Sequence, residues 1–358
     1  MPISIPERIK SYIAEGGFTG AAVGVRRAGE DVFTHYAGTA QPAREVQADT
    51  LFPIASITKC FTAAMLMRLV EMGELTVNLY VSQILPRFTG EGREEIRLRH
   101  LLTHTSGLPY ESSQMEEYLK AHASRTMLIE EAYTASLLFS AGTRFSYGDY
   151  NYLLAGCMAE AVTGKAYADL VHELVIEPMG LRNTFVVPPE STYDRLAVVR
   201  GAMAEGTDGS MYNSVHARGL AHPAFSVCAS LEDMLTFLSH FVPNGPRIHK
   251  EVTVRAMTRP QTGDVPGIHP SIGGYGVDAR IPWGLGFALQ NEQVPTLFSE
   301  MASFQTFGHG GASGCQIIAD PASNLIVVAL TNTHARTGRP QWYRRLQSII
   351  NMAFAEFG

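Results

Sequence analysis

Strand-forming patterns cluster near the two ends of this chain and a long helical stretch separates them, an order that few folds accommodate. Near the amino terminus, AAVGVRR and DVFTHYAG read as short strands around Ala28-Gly29-Glu30, a triplet suited to a hairpin turn. Toward the other end, WGLGFAL, GCQIIAD and NLIVVALTN read as strands, the last two joined across Asp320 to Ser323. Helices bracket both sets. Ile9, Tyr12 and Ile13 recur at helical spacing within residues 6–14, before Gly16-Gly17 stops the run, and residues 342–357 form a closing helix. Residues 79–184 are mostly helical in pattern, and LEDMLTFLSHF is amphipathic after Ser230, a cap with Asp233 three residues on. Residues 200–223, rich in Gly, Ser, Asn and His without periodicity, predict an irregular loop. The fold class is therefore α+β: an antiparallel sheet flanked by terminal helices, with an inserted mostly helical region. Residues 1–62 and 224–358 would form the sheet domain and residues 63–223 the helical one, with the active site between them.

Composition narrows the function classes. Hydrophobic residues make up 46% and charged residues 17%, as in an ordinary globular protein. The net charge of -6 comes without a long basic run, which argues against a nucleic-acid partner. Cys60, Cys157, Cys228 and Cys315 are far apart with no CxxC spacing, so they read as small buried hydrophobes, with neither a disulfide framework nor a zinc site. The first residues lack the run of about 7 to 15 apolar positions that a secretory signal carries, so a cytoplasmic location is expected. No stretch reaches the roughly 20 apolar residues of a membrane span, so no membrane partner is expected either. The oligomeric state is not legible.

The run ITKCFTAAMLMRLVEMGEL has apolar residues on nearly all sides, as in a helix buried in a large core, and Ser56 sits at its start. Ser56 and Lys59 are one helical turn apart and share a face. A serine hydroxyl is a poor nucleophile until a base takes its proton, and a neighbouring amine can be that base or can tune another. Taken alone, the pattern also fits a helix-capping serine followed by a surface lysine. His100 and His104 are four apart, but no third ligand accompanies them and no metal is expected. His216 and His222 fall in the irregular region, where exposure to solvent is the expectation.

The order of further motifs decides between these readings. HLLTHTSGLP (His100 to Pro109), GTRFSYGDYNYLLAG (Gly142 to Gly156), IEPMGLRNT (Ile176 to Thr184), WGLGF (Trp283 to Phe287) and FGHGGASG (Phe307 to Gly314) follow SITK along the chain. Together they resemble the serine hydrolase family that includes class C beta-lactamases, DD-peptidases, D-aminopeptidases and beta-lactamase-like carboxylesterases, over almost the whole chain. The resemblance implies Ser56 as the acylated nucleophile, Lys59 as its partner amine and Tyr147 as the tyrosine of a Tyr-x-Asn motif. It places His309-Gly310-Gly311 where the family carries Lys-Thr-Gly, and makes the backbone N–H groups of Ser56 and Ala312 the oxyanion hole. Asp149, His309, Gly310, Gly311 and Trp283 would face the substrate. No cofactor is implied.

Two positions depart from the pattern. Asp149 stands where the family usually has Asn, and its charge would raise the pKa values of Lys59 and Tyr147. His309 replaces Lys and offers no permanent cation to a substrate carboxylate, which argues against penicillins. The expected partner is a small-molecule ester or amide, cleaved through an acyl-serine, with carboxylesterase chemistry favoured. A beta-lactamase or D-amino-acid peptidase or amidase is the alternative, and a non-catalytic ligand-binding or scaffold descendant is the alternative of another class. Either Lys59 or Tyr147 can serve as the direct base.

Overall fold

The computed structural model describes residues 3–201, 211–268, 279–291, 298–335 and 341–358. Helix α1 (Ile5–Ala14) is started by Ser4, whose hydroxyl accepts the Glu7 N–H while the Glu7 carboxylate accepts the Ser4 N–H. Strands β1 (Gly20–Arg27) and β2 (Glu30–Gln41) follow, joined through Ala28 and Gly29 at φ 51° and 89°. Two successive positive φ values match the twist of a tight antiparallel hairpin. The strand β3 (Arg44–Glu45) closes this edge.

Among the helices that come next, α2 (Thr58–Glu71), α3 (Leu98–Leu102), α4 (Asp149–Thr163) and α5 (Leu231–Ser239) bear on the site. Ser230 caps α5 by accepting the Asp233 N–H at 3.3 Å. Strands β4 (Ala288–Leu289), β5 (Phe307–Gly311), β6 (Cys315–Asp320) and β7 (Leu325–Thr331) then lead into α6 (Gln341–Phe357). The seven strands form one antiparallel sheet in the order β4-β5-β6-β7-β1-β2-β3. Val23 of β1 faces Ala329 of β7, so the last strands extend a sheet begun by the first hairpin.

The two-residue period of the strands sorts their side chains between two layers. Ala21, Val23, Val25, Leu325 and Val327 pack with Ile9 of α1 and Leu346, Ile349 and Ala353 of α6. Ala22, Ile326, Val328 and Ile317 join the other layer, with Leu231 and Leu235 of α5. Gly24 permits that approach, since a Cβ there would lie 2.8 Å from Leu235 Cδ1. The α+β architecture is the one the sequence predicts. As for the expected division at residue 62, α2 runs through it and Phe61 stacks on Phe237 of α5 with ring centroids 4.2 Å apart. One apolar core is thus shared by α2, α4 and the inner face of the sheet.

Several local expectations are corrected. WGLGFAL is not one strand: only Ala288–Leu289 pairs in β4, with an isolated bridge from Trp283 to Ala288. Gly286 adopts φ 98° and presses on α2, where a Cβ would lie 2.3 Å from that of Ala63. Within residues 200–223, of which 202–210 lie outside the described residues, Val215–Gly219 form a short helix capped by Ser214. His222 is buried, its Nδ1 accepting the Ala224 N–H at 3.1 Å and its ring stacked on Phe225. Among the described residues no helix is long and apolar enough to cross a membrane, and no cluster of His, Cys, Asp or Glu could hold a metal.

Candidate active site

Ser56 does not cap α2. It lies in a 3₁₀ turn, Ala55–Ile57, and the α-helix begins only at Thr58. Ala55 enters that turn at φ 48°, a conformation disfavoured for a residue with a Cβ, and the surrounding packing holds it there. The Ser56 hydroxyl is left to face Lys59, one turn on, whose Nζ donates to Ser56 Oγ at 3.1 Å.

Lys59 is fully buried, and its ammonium donates to three acceptors: Ser56 Oγ, Asp149 Oδ1 at 2.6 Å and the Ala224 carbonyl at 3.3 Å. Three donors meet three acceptors, the full complement for a charged amine. Burial pulls the Lys59 pKa below its ordinary value, and the Asp149 carboxylate opposes that shift. Asp149 is the first residue of α4, and Tyr147 stands just before it. The Tyr147 hydroxyl is hydrogen-bonded to Ser56, and Lys59 Nζ lies 4.7 Å from the centroid of its ring. Burial, then the Asp149 charge, raises the Tyr147 phenol well above its usual value. The structure therefore brings Ser56, Lys59, Tyr147 and Asp149 into one cluster. The Asp149 carboxylate is turned to Lys59, which differs from the expected substrate contact.

Strand β5 runs past this cluster. A Cβ on Gly311 would lie 2.3 Å from the Ile54 carbonyl oxygen, so the missing side chain makes room for the backbone leading to Ser56. Gly310 accepts the His309 Nδ1 hydrogen bond at 2.7 Å through its carbonyl, which turns the imidazole along the strand. Ala312 packs beside Ala55, and its carbonyl accepts the Ala335 N–H at 2.8 Å.

Trp283 is 1% exposed and stands edge-on to the rings of Tyr147, at 5.7 Å, and His309, at 5.5 Å. Such burial makes it a brace for those rings, in place of the pocket wall expected. His104 completes the brace. Helix α3 ends at Leu102, and His104 takes φ 58°, which carries its ring inward to within 4.3 Å of Tyr147. Its Nδ1 accepts the Gly148 N–H at 3.2 Å, tying the HLLTHTSG segment to the residue after Tyr147. His100 lines a separate pocket with Arg97 and Arg99. Sequence reasoning also missed Tyr110, whose ring lies 6.0 Å from that of Tyr147 and whose phenol the Asp149 charge pushes up. The HLLTHTSGLPY segment was the available signal, but helical spacing cannot foretell a left-handed histidine.

Comparisons with known proteins give the family and the fold of the chain. The beta-lactamase family profile matches residues 5–349. Esterase EstB of Burkholderia gladioli is 28% identical over 90% of this chain and 88% of its own length. An N-acetylmuramyl-L-alanine amidase of Bacillus subtilis is 26% identical over 82% of this chain and 70% of its own. In fold, the solved structure of EstCE1, a hydrolase with promiscuous acyltransferase activity, matches with a TM-score of 0.78 at 22% identity, covering 97% of both chains. With the profile spanning nearly its full length, the chain belongs to the beta-lactamase family of serine hydrolases.

Proposed function

We propose that this protein hydrolyses carboxylic esters or small amides through an acyl intermediate on Ser56. One observation carries the proposal: the buried Ser56 hydroxyl sits between the Lys59 ammonium and the Tyr147 phenol, both within hydrogen-bonding reach. The three-acceptor shell of Lys59 favours Tyr147 as the group that moves protons. Tyr147 in its phenolate form takes the Ser56 proton as Oγ attacks the acyl carbon, and the Lys59 ammonium stabilises that phenolate. The N–H groups of Ser56 and Ala312 receive the developing oxyanion. Tyr147 then protonates the leaving alkoxide or amine. Water attacks the acyl-serine, gives its proton to Tyr147, and the proton returns to Ser56.

Esters are the favoured class. His309 occupies the place of a family lysine, and a neutral imidazole gives a penicillin carboxylate no cation to pair with. The esterase among its relatives supports the same choice.

A fluorophosphonate probe followed by intact mass tests the proposal. The parent protein should gain one adduct and turn over a short p-nitrophenyl ester, and Ser56→Ala should do neither while keeping its circular dichroism. Retention of more than a few per cent of turnover in Ser56→Ala would remove Ser56 from the mechanism, and a folded parent inert to probe and esters alike would favour a non-catalytic descendant.

A further inference from the structure

We infer that a pocket beside the segment carrying His104 binds a small oxyanion, a molecule bearing a phosphate, sulfate or carboxylate group. The pocket has a volume of about 280 Å³, and Arg97, Arg99 and His100 line it together with the Thr103 and Thr105 that flank His104. Among the described residues no carboxylate lines it. That composition is unusual for this chain, where acidic residues outnumber basic ones, 34 to 28. Elsewhere its arginines are commonly matched: Arg26 with Asp31, Arg44 with Asp49, Arg87 with Glu130, Arg125 with Glu160.

Neither pocket arginine has a carboxylate within ion-pair distance among the described residues. Arg97 donates to the Asn78 carbonyl at 3.2 Å and to the Tyr80 hydroxyl, with its guanidinium 4.1 Å from the Tyr80 ring centroid. These contacts aim the side chain without neutralising it. The Arg99 guanidinium makes no hydrogen bond or ion pair among the described residues. Two guanidinium groups held half-buried in one cavity repel each other, and an anion offered to their planar donors relieves that repulsion. Gln261 adds a polar group, donating one amide N–H to the Ala256 carbonyl and keeping a second. Asp264, which precedes Val265 in the chain, is engaged by Arg280 at 3.2 Å.

His100 registers the same field. Burial and the two arginines bring its pKa down to about 4, so it is neutral and an anion between the guanidinium groups would raise that value. The site is independent of the Ser56 chemistry, so its test needs no catalytic activity.

The full chain is titrated calorimetrically with inorganic phosphate, sulfate and succinate at constant ionic strength. At least one should bind saturably at a single site, and that one names the anion class. Arg99→Gln should weaken binding about tenfold or more, as expected for loss of a charge-assisted contact. Val265→Asp, which keeps both arginines and sets a carboxylate at the pocket wall, should weaken it likewise. Binding should also move the His100 titration, followed by NMR, to higher pH. Failure of all three anions to bind saturably overturns the inference, as does equal binding by the parent and both variants.

Discussion

Lys59 Nζ and Asp149 Oδ1 lie 2.6 Å apart with both side chains buried, one at the start of α2 and the other at the start of α4. The Asp149 charge opposes the lowering of the Lys59 pKa by burial and stands beside Tyr147. With a high-pKa phenol as the base, kcat/KM should rise toward alkaline pH, and Asp149→Asn, by removing that charge, should lower the Tyr147 pKa and move the rise to lower pH. An unpartnered ammonium is costly, and stability should fall by up to about 3 kcal/mol in urea unfolding. An unmoved limb would mean that the carboxylate has no part in catalysis.

Lys59→Ala and Tyr147→Phe should each lower kcat/KM for an ester by a factor of about a hundred or more, the usual scale of an acid-base contribution. Both side chains act on the one Ser56 hydroxyl, so the double variant should lose far less than the product of the single losses. Losses that multiply would assign them to separate steps.

Gly311→Ala tests the packing of β5 against the nucleophile turn. The new Cβ would stand 2.3 Å from the Ile54 carbonyl oxygen, and backbone, unlike a flexible side chain, must move to admit it. A shift of the Ser56 turn by about 1 Å should cost on the order of a hundredfold in kcat and slow fluorophosphonate labelling equally. Turnover within twofold of the parent would show that the turn tolerates the change.

Stability should fall on acidification from pH 6.5 toward 4. Burial brings His240 from the ordinary 6.5 of an imidazole down to about 4 and His222 well below 6.5, so both are neutral when folded. In this window the unfolded chain binds more protons than the folded one, so stability is complete above the unfolded pKa and is lost as pH falls. His240→Gln should make the urea midpoint less sensitive between these pH values. The same pH slope in parent and variant would assign the loss to other groups.

What the sequence by itself determined is local and periodic. The hairpin at Ala28-Gly29, the strand pair on either side of Asp320, the cap at Ser230 and the one-turn spacing of Ser56 and Lys59 all depend on residues a few positions apart. Short-range sterics and the 2.0 and 3.6 residue periods act at that range, so these features were legible. The tertiary structure alone decided that Lys59 meets Asp149, 90 residues away, and that Ala224 supplies its third acceptor. It also decided that His104 turns inward beneath Tyr147, that Trp283 is buried behind it, and that Gly311 makes way for Ile54. These depend on which helices and strands share a core, and a buried side chain's partners are chosen by that packing and by the need to satisfy every polar group removed from water.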